Sequence, residues 1–536
     1  MVIKGNYLLD DVAMQRFIVE GYLTLSSDLS RDYHARMYGE LEPLQETGPL
    51  GHNNLLPCVP DLRLMLNEPK VVGALTSILG PDYYLHFHRH DHVNYPDGAQ
   101  PLHKDGDNHS HHAIDDLRRY HKTRYLMLLY YPQDTPMERG PTGIVPRSQY
   151  VSRRAVDELK KKGDKYKGQI LEEMRRSMDS CAFEGTNRFH RYAEMELEFS
   201  KRYPGLLAEI EATSAPWEKA KIPLTGAAGT ISIVHFDLVH GRYTGNLTGE
   251  QRHMVKFLFA RNREPIKASW NHLSAEWRYG EKDCQTPIWK HLWAWHRGVE
   301  DLGSSDRAVK ELNESLMSAD DEIAISAAYE LSATATGLEL LFEKFVSDDV
   351  TVRSIAAYGI VRAGRRALPH LLDVIGDASP NLQLRIVDVI GDMGLEAIGA
   401  VAALTSLVGS PDILVHRAVV EALGLITQSH DDLPEDVIQA LSEGLGHEDA
   451  IVVRNATFAV SRLGAKACTE TIIDKIDRNL SHWHHHVRGW SIEALQRLEN
   501  PRAMQLAVKY LMSARWDPAL KSGDREPTEK IMRQVT

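Results

Sequence analysis

Two architectures are predicted in one chain: an α+β half built on a double-sheet jelly roll, then an all-α solenoid. Three observations predict this. Short segments of strand-like alternation, joined by polar turns, recur through the first 300 residues. A charged helical stretch interrupts them between residues 151 and 222. Beyond about residue 301, Val352-Arg353, Leu384-Arg385, His416-Arg417, Val453-Arg454 and Val487-Arg488 recur at spacings of 32, 32, 37 and 34, the period of stacked helix pairs.

The elements follow in order. Asp10 or Asp11 can cap a helix whose Phe17 and Val19 lead into the strand entry Gly21-Tyr22-Leu23-Thr24-Leu25. Strands are expected over Tyr83–Tyr95, Tyr125–Tyr131, Thr230–Val239 and Met254–Arg261. The insertion, 151–222, carries Lys160-Lys161-Lys162 and Glu172-Glu173-Met174-Arg175-Arg176; it reads either as a lid or as a solvated excursion. Residues 262–300 hold five of the nine tryptophans, too aromatic for a flexible linker, and read as packing that docks the second half on the first. The expected boundaries are 1–300, a linker at 301–319, a solenoid over 320–515 and a tail at 516–536. The repeat motif resembles HEAT repeats, which implies an extended face for a protein partner.

Composition bounds the function. The net charge of −12 argues against a nucleic-acid partner, because phosphate binding needs a basic surface. No apolar run is long enough for a membrane span or a leader. Four widely spaced cysteines (Cys58, Cys181, Cys284, Cys468) fit a reduced, cytoplasmic setting.

The chemistry concentrates at Pro101-Leu102-His103-Lys104-Asp105, read with His240. In extended backbone, residues two apart share a side, so His103 and Asp105 can reach one metal. Two imidazoles and a carboxylate are the set that holds catalytic non-haem Fe(II). The spacing alone is weak: His-x-Asp recurs at His235/Asp237 and His447/Asp449. The surroundings favour the first. Val93-Asn94-Tyr95-Pro96-Asp97-Gly98 precedes it; Leu128-Leu129-Tyr130-Tyr131-Pro132-Gln133-Asp134 and then Gly140-Pro141-Thr142-Gly143-Ile144-Val145-Pro146-Arg147-Ser148-Gln149 follow, and Gly229 opens the strand towards His240.

As an ordered set over residues 6–265, these motifs resemble the phytanoyl-CoA dioxygenase-like family of Fe(II)/2-oxoglutarate oxygenases. The resemblance implies a cupin-like double-stranded β-helix, with His103, Asp105 and His240 as iron ligands and 2-oxoglutarate and O2 as co-substrates. It implies Arg252, rather than Arg242, as the cation for the distal carboxylate, with Asn94 and Thr142 as further co-substrate contacts. Retention of Asp105 favours hydroxylation over halogenation. The small-molecule substrate is expected to be polar. His86, His88, His90, His92 and Asn94 fall at period two on one strand face, so His90 and His92 are candidate substrate contacts. Arg147, where the family has glycine, is another; His109, His111 and His112 are expected in a polar loop. The alternatives are a HEAT-repeat interaction protein with an inactive oxygenase domain, or a protein hydroxylase whose solenoid binds the substrate.

Overall fold

The computed structural model describes residues 7–47, 55–94, 100–105, 121–177, 188–279, 283–301, 303, 305–430 and 433–513. The loop histidines 109, 111 and 112 and the tail 516–536 lie outside the described residues. The first helix, Asp11–Glu20, is capped by Asp10, whose side chain accepts from the Ala13 amide at 2.8 Å. Gly21 ends it at φ 78°, against Gln149, where a Cβ would lie 2.7 Å from that side chain.

Eight strands follow among the described residues: β1 (Tyr22–Ser26), β2 (Tyr83–Asn94), β3 (Tyr125–Tyr131), β4 (Thr142–Ile144), β5 (Ile222–Leu224), β6 (Thr230–His235), β7 (His240–Arg242) and β8 (Arg252–Arg261). They form a five-stranded sheet, β1-β6-β3-β8-β2, and a three-stranded sheet, β5-β4-β7, with antiparallel pairing throughout. All of β3 is buried. Met127, Leu129 and Tyr131 cluster with Ile144 and Leu224 of the small sheet, whereas Leu126, Leu128 and Tyr130 face a second core built on Phe17 and Ile18. The core of the site is therefore the space between the sheets, lined by alternate residues of each strand.

The insertion forms helices Arg154–Ser177, Arg188–Arg202 and Pro204–Ala220. Its Trp217 packs on Leu102, Val145 and Val239, which point away from the inner face. Lys160 donates to Leu102 O at 2.9 Å, and Lys221 to the carbonyls of Arg242 and Tyr243 at 3.2 Å. These contacts brace the back of the small sheet, so the lid expectation finds no support in them.

From Val309 to Ser513 the chain is a stack of helices. Helices starting at Asp321, Val350, Pro380, Ile413, Ala450 and His485 form the layer that meets the first half. Asp349, Asp412 and Asp449 cap three of them, each accepting from two backbone amides, which explains the acidic turns of the repeat. The repeat arginines secure the turns: Arg353 bonds Asp348 O and Arg488 bonds Trp483 O, while Arg417 pairs with Asp449.

The two halves share one interior. Arg124, at the head of β3, donates to Glu264 (2.7 Å) and Asp392 (2.6 Å), and all three side chains are 2% exposed. Lys122 donates to the carbonyls of Asp392 and Met393. His121 stacks on Tyr358, with centroids 4.0 Å apart. Tyr84 of β2 packs on Trp490, and Asp82 pairs with Arg497. The tryptophans 270, 277, 289, 293 and 295 are all buried, and helix Thr286–His296 packs against both the first helix and Asp321–Leu331. The inner face of the solenoid is thus covered by the chain's own first half.

Candidate metal centre

His103 lies on the open edge of the small sheet. It exchanges both backbone bonds with His240 (2.8 and 2.9 Å), making the two residues directly opposed neighbours with ring centroids 4.4 Å apart. His240 sits opposite Ile144 in the β4 register and so points inward. Asp105, two residues beyond His103, joins them: one ligand atom from each residue lies within 4.8 Å of the others. Among the described residues this is the one cluster of three or more metal-ligating side chains.

The hydrogen bonds prepare the rings for a cation. His103 Nδ1 bonds Pro101 O at 2.9 Å and His240 Nδ1 bonds Leu238 O at 2.9 Å. A carbonyl only accepts, so each Nδ1 carries the proton and each Nε2 presents its lone pair. Burial pushes the His240 pKa down to about 3, holding the ring neutral. Burial opposes ionisation of Asp105, but Lys256 and His240 outweigh it and hold the carboxyl well below its usual range. Two imidazoles and one carboxylate fit a divalent metal of the Fe(II) class.

The rival pairs are built differently. In both, the imidazole turns inward on its own motif: His235 Nδ1 accepts from the Asp237 amide (3.1 Å), and His447 Nδ1 from the Asp449 amide (2.9 Å). Asp237 faces Lys104 Nζ at 3.4 Å, and Asp449 is a helix cap.

Around the triad, the inner face of the large sheet is polar. His90, His92 and Asn94 of β2 pair with Lys256, Met254 and Arg252 of β8. Burial, first, and then His90 and Lys256 push the His92 pKa well down. Arg252 is buried; it donates to Gly140 O (3.0 Å) and His92 O (3.2 Å), lies 6.0 Å over the Tyr131 ring, and has no carboxylate partner among the described residues. Burial lowers its pKa. Arg242 bonds Asn94 Oδ1, and Asn94 Nδ2 donates to Gly140 O at 2.8 Å. Gly140 (φ 66°) is required there, since a Cβ would lie 2.1 Å from that amide. Asn94 is therefore engaged in holding this loop and Arg242. Thr142, buried and paired with Arg242, donates its backbone N–H to the Tyr131 hydroxyl at 3.0 Å.

One expectation is corrected. The five-residue face of β2 is broken by a bulge between Leu85 and Arg89: His86 meets His486 and Trp490 of the repeats, and only the His90 end looks inward; the His88 side chain lies outside the described residues. Arg147 pairs with Asp283 at 2.5 Å and lies 5.0 Å over Trp289. The residue that sequence reasoning missed is Lys256, which bonds Asp105. A lone charge at period two from Arg252, within the apolar run Met254–Phe259, was the available signal.

HEAT repeats match residues 368–461. Among solved structures, the non-heme α-ketoglutarate-dependent carbocyclase SnoK is 14% identical, covering 49% of this chain and 88% of its own, at a TM-score of 0.29. HygX from Streptomyces hygroscopicus, with nickel and 2-oxoglutarate bound, is 15% identical, covering 47% and 87%, at 0.29. AviO1 from Streptomyces viridochromogenes Tue57 is 13% identical, covering 48% and 96%, at 0.29. No curated protein matches. No described helix is long and apolar enough to cross a membrane. The chain joins a sheet-rich first half to a helical second half that contains HEAT repeats.

Proposed function

We propose that the protein is an Fe(II)- and 2-oxoglutarate-dependent dioxygenase of the phytanoyl-CoA dioxygenase-like type, acting on a small polar metabolite. The observation that carries this reading is the convergence of His103 Nε2, His240 Nε2 and Asp105 at one point, with both Nδ1 atoms tied to carbonyls. Fe(II) held there supplies O2 activation coupled to decarboxylation of 2-oxoglutarate. The chain's part is binding and orientation. Arg252, buried against Tyr131 without an acid partner among the described residues, offers its guanidinium to the distal carboxylate, and the Gly140 carbonyl fixes its approach. His90 and His92 are left as polar substrate contacts on the same inner face. Delivery of a polypeptide by the solenoid is disfavoured, because the inner repeat helices already pack on the first half.

The test is anaerobic Fe(II) titration with and without 2-oxoglutarate, followed by a metabolite screen for succinate release. Alanine at His103, Asp105 or His240 should abolish metal binding and turnover, whereas His235→Ala and His447→Ala should retain both. Normal iron stoichiometry and turnover in Asp105→Ala would sink the assignment.

A further inference from the structure

The two oxygens of Asp105 have different neighbours. Oδ1 lies 3.7 Å from His103 Nε2 and 3.8 Å from His240 Nε2, where a shared cation would sit. The other, Oδ2, is bonded by Lys256 Nζ. The pair is nearly enclosed, with side chains 6% and 13% exposed. Lys256 cannot easily withdraw, since its backbone is registered between His90 of β2 and Leu129 of β3 in the middle of the five-stranded sheet.

A carboxylate beside a divalent metal can bind through one oxygen or both. Each extra protein oxygen removes a coordination position from those left for co-substrate and O2. We propose that Lys256 is a positioning residue that holds Asp105 Oδ2 off the metal, so that the carboxylate offers Oδ1 alone. The inference rests on the metal-centre reading above. Its electrostatics run opposite to those of an ordinary supporting residue. An ammonium this near the site repels a cation, so removing it relieves repulsion and frees a second ligand oxygen. Metal affinity should hold or rise, while co-substrate binding should fall.

The experiment uses the full chain loaded with Co(II), whose visible spectrum reports coordination number without turnover. Before 2-oxoglutarate is added, the Lys256→Met spectrum should shift towards the weaker bands of higher coordination, at unchanged or tighter Co(II) affinity. The Kd of the loaded protein for 2-oxoglutarate should then rise about tenfold or more. Lys256→Arg, which keeps the cation, should restore the wild-type spectrum. If Lys256→Met matches wild type before co-substrate is added, the proposal is overturned and the metal centre stands. Loss of Co(II) affinity in Lys256→Met alone would also overturn it, making Lys256 a structural support. No Co(II) uptake by the wild-type chain would overturn both.

Discussion

Asp392→Ala should separate the two halves energetically without touching the candidate metal centre. Asp392 comes from a repeat helix; its Oδ1 accepts from Arg124 Nη1 at 2.6 Å, and its backbone carbonyl accepts from Arg124 and Lys122. The surroundings are rich in cations: Lys122 and Arg462 act on Glu264, and Arg261 is pushed down to about 10 by its burial. Removing one acid from a fully buried, net-positive cluster leaves charge uncompensated, at about 3–5 kcal/mol for breaking a buried pair. Glu264 still holds Arg124 through two contacts, so the lower end, about 3 kcal/mol, is expected for Asp392→Ala. Asp392→Asn keeps an acceptor and should lose roughly 1–2 kcal/mol. Glu264→Ala also strips Trp295 Nε1 of its acceptor and should be the most damaging. Urea unfolding followed by tryptophan fluorescence reads all three, because the buried indoles of 262–300 bridge the halves. A loss below about 0.5 kcal/mol for Asp392→Ala, the level of an ordinary surface change, would refute the reasoning.

Other expectations follow from the same contacts. Arg252→Ala should raise the apparent KM for 2-oxoglutarate at least about tenfold, from a loss of roughly 2–5 kcal/mol for a truncated buried charge contact; the same rise in Arg242→Ala, with none in Arg252→Ala, would reassign the cation. Burial pushes His121 down to about 3, so it stays neutral in the fold while the unfolded chain takes up a proton below its ordinary value of 6.5. Stability should therefore fall as pH drops through 6.5 towards 3, by about 1.4 kcal/mol at pH 5.5 relative to the plateau well above 6.5, from this group. His121→Phe should flatten that slope in pH-dependent melts while lowering the plateau, since it loses bonds to Tyr329 and Tyr150. Truncation near Leu302 should give an aggregation-prone fragment whose soluble fraction still binds iron; a monodisperse, fully stable and fully active fragment would mean that the halves are independent.

Much of this was legible in the sequence, for reasons that differ by element. β3 was read to the residue, because its apolar run ends sharply and its two faces are both buried. The repeat period was legible because several units place an acid at a helix cap, and arginines such as Arg353 and Arg488 bond the turn before their helix. His103, Asp105 and His240 were readable as a set only from their surroundings, since the discriminating feature, the partner of each Nδ1, has no sequence signature. The β2 histidine face failed at a bulge, which shifts neighbours without changing composition. The ion pair of Arg147 was not legible because its partner Asp283 lies 136 residues away.

The bond from Arg497 to Asp82 spans 415 residues, and that from Arg124 to Asp392 spans 268. During synthesis the residues of the candidate metal centre emerge long before the helices that close the far end of the sheet. Arg124 and Lys122 wait for Asp392 and Met393, and Tyr84 waits for Trp490, so the head of β3 stays open until the repeats are made. Completion of the first half is therefore a late event with a high loop-closure cost, exposed to misassociation in the interval. A chain cut short within the repeats would hold every candidate catalytic residue and lack the surface against which the far end of the large sheet packs.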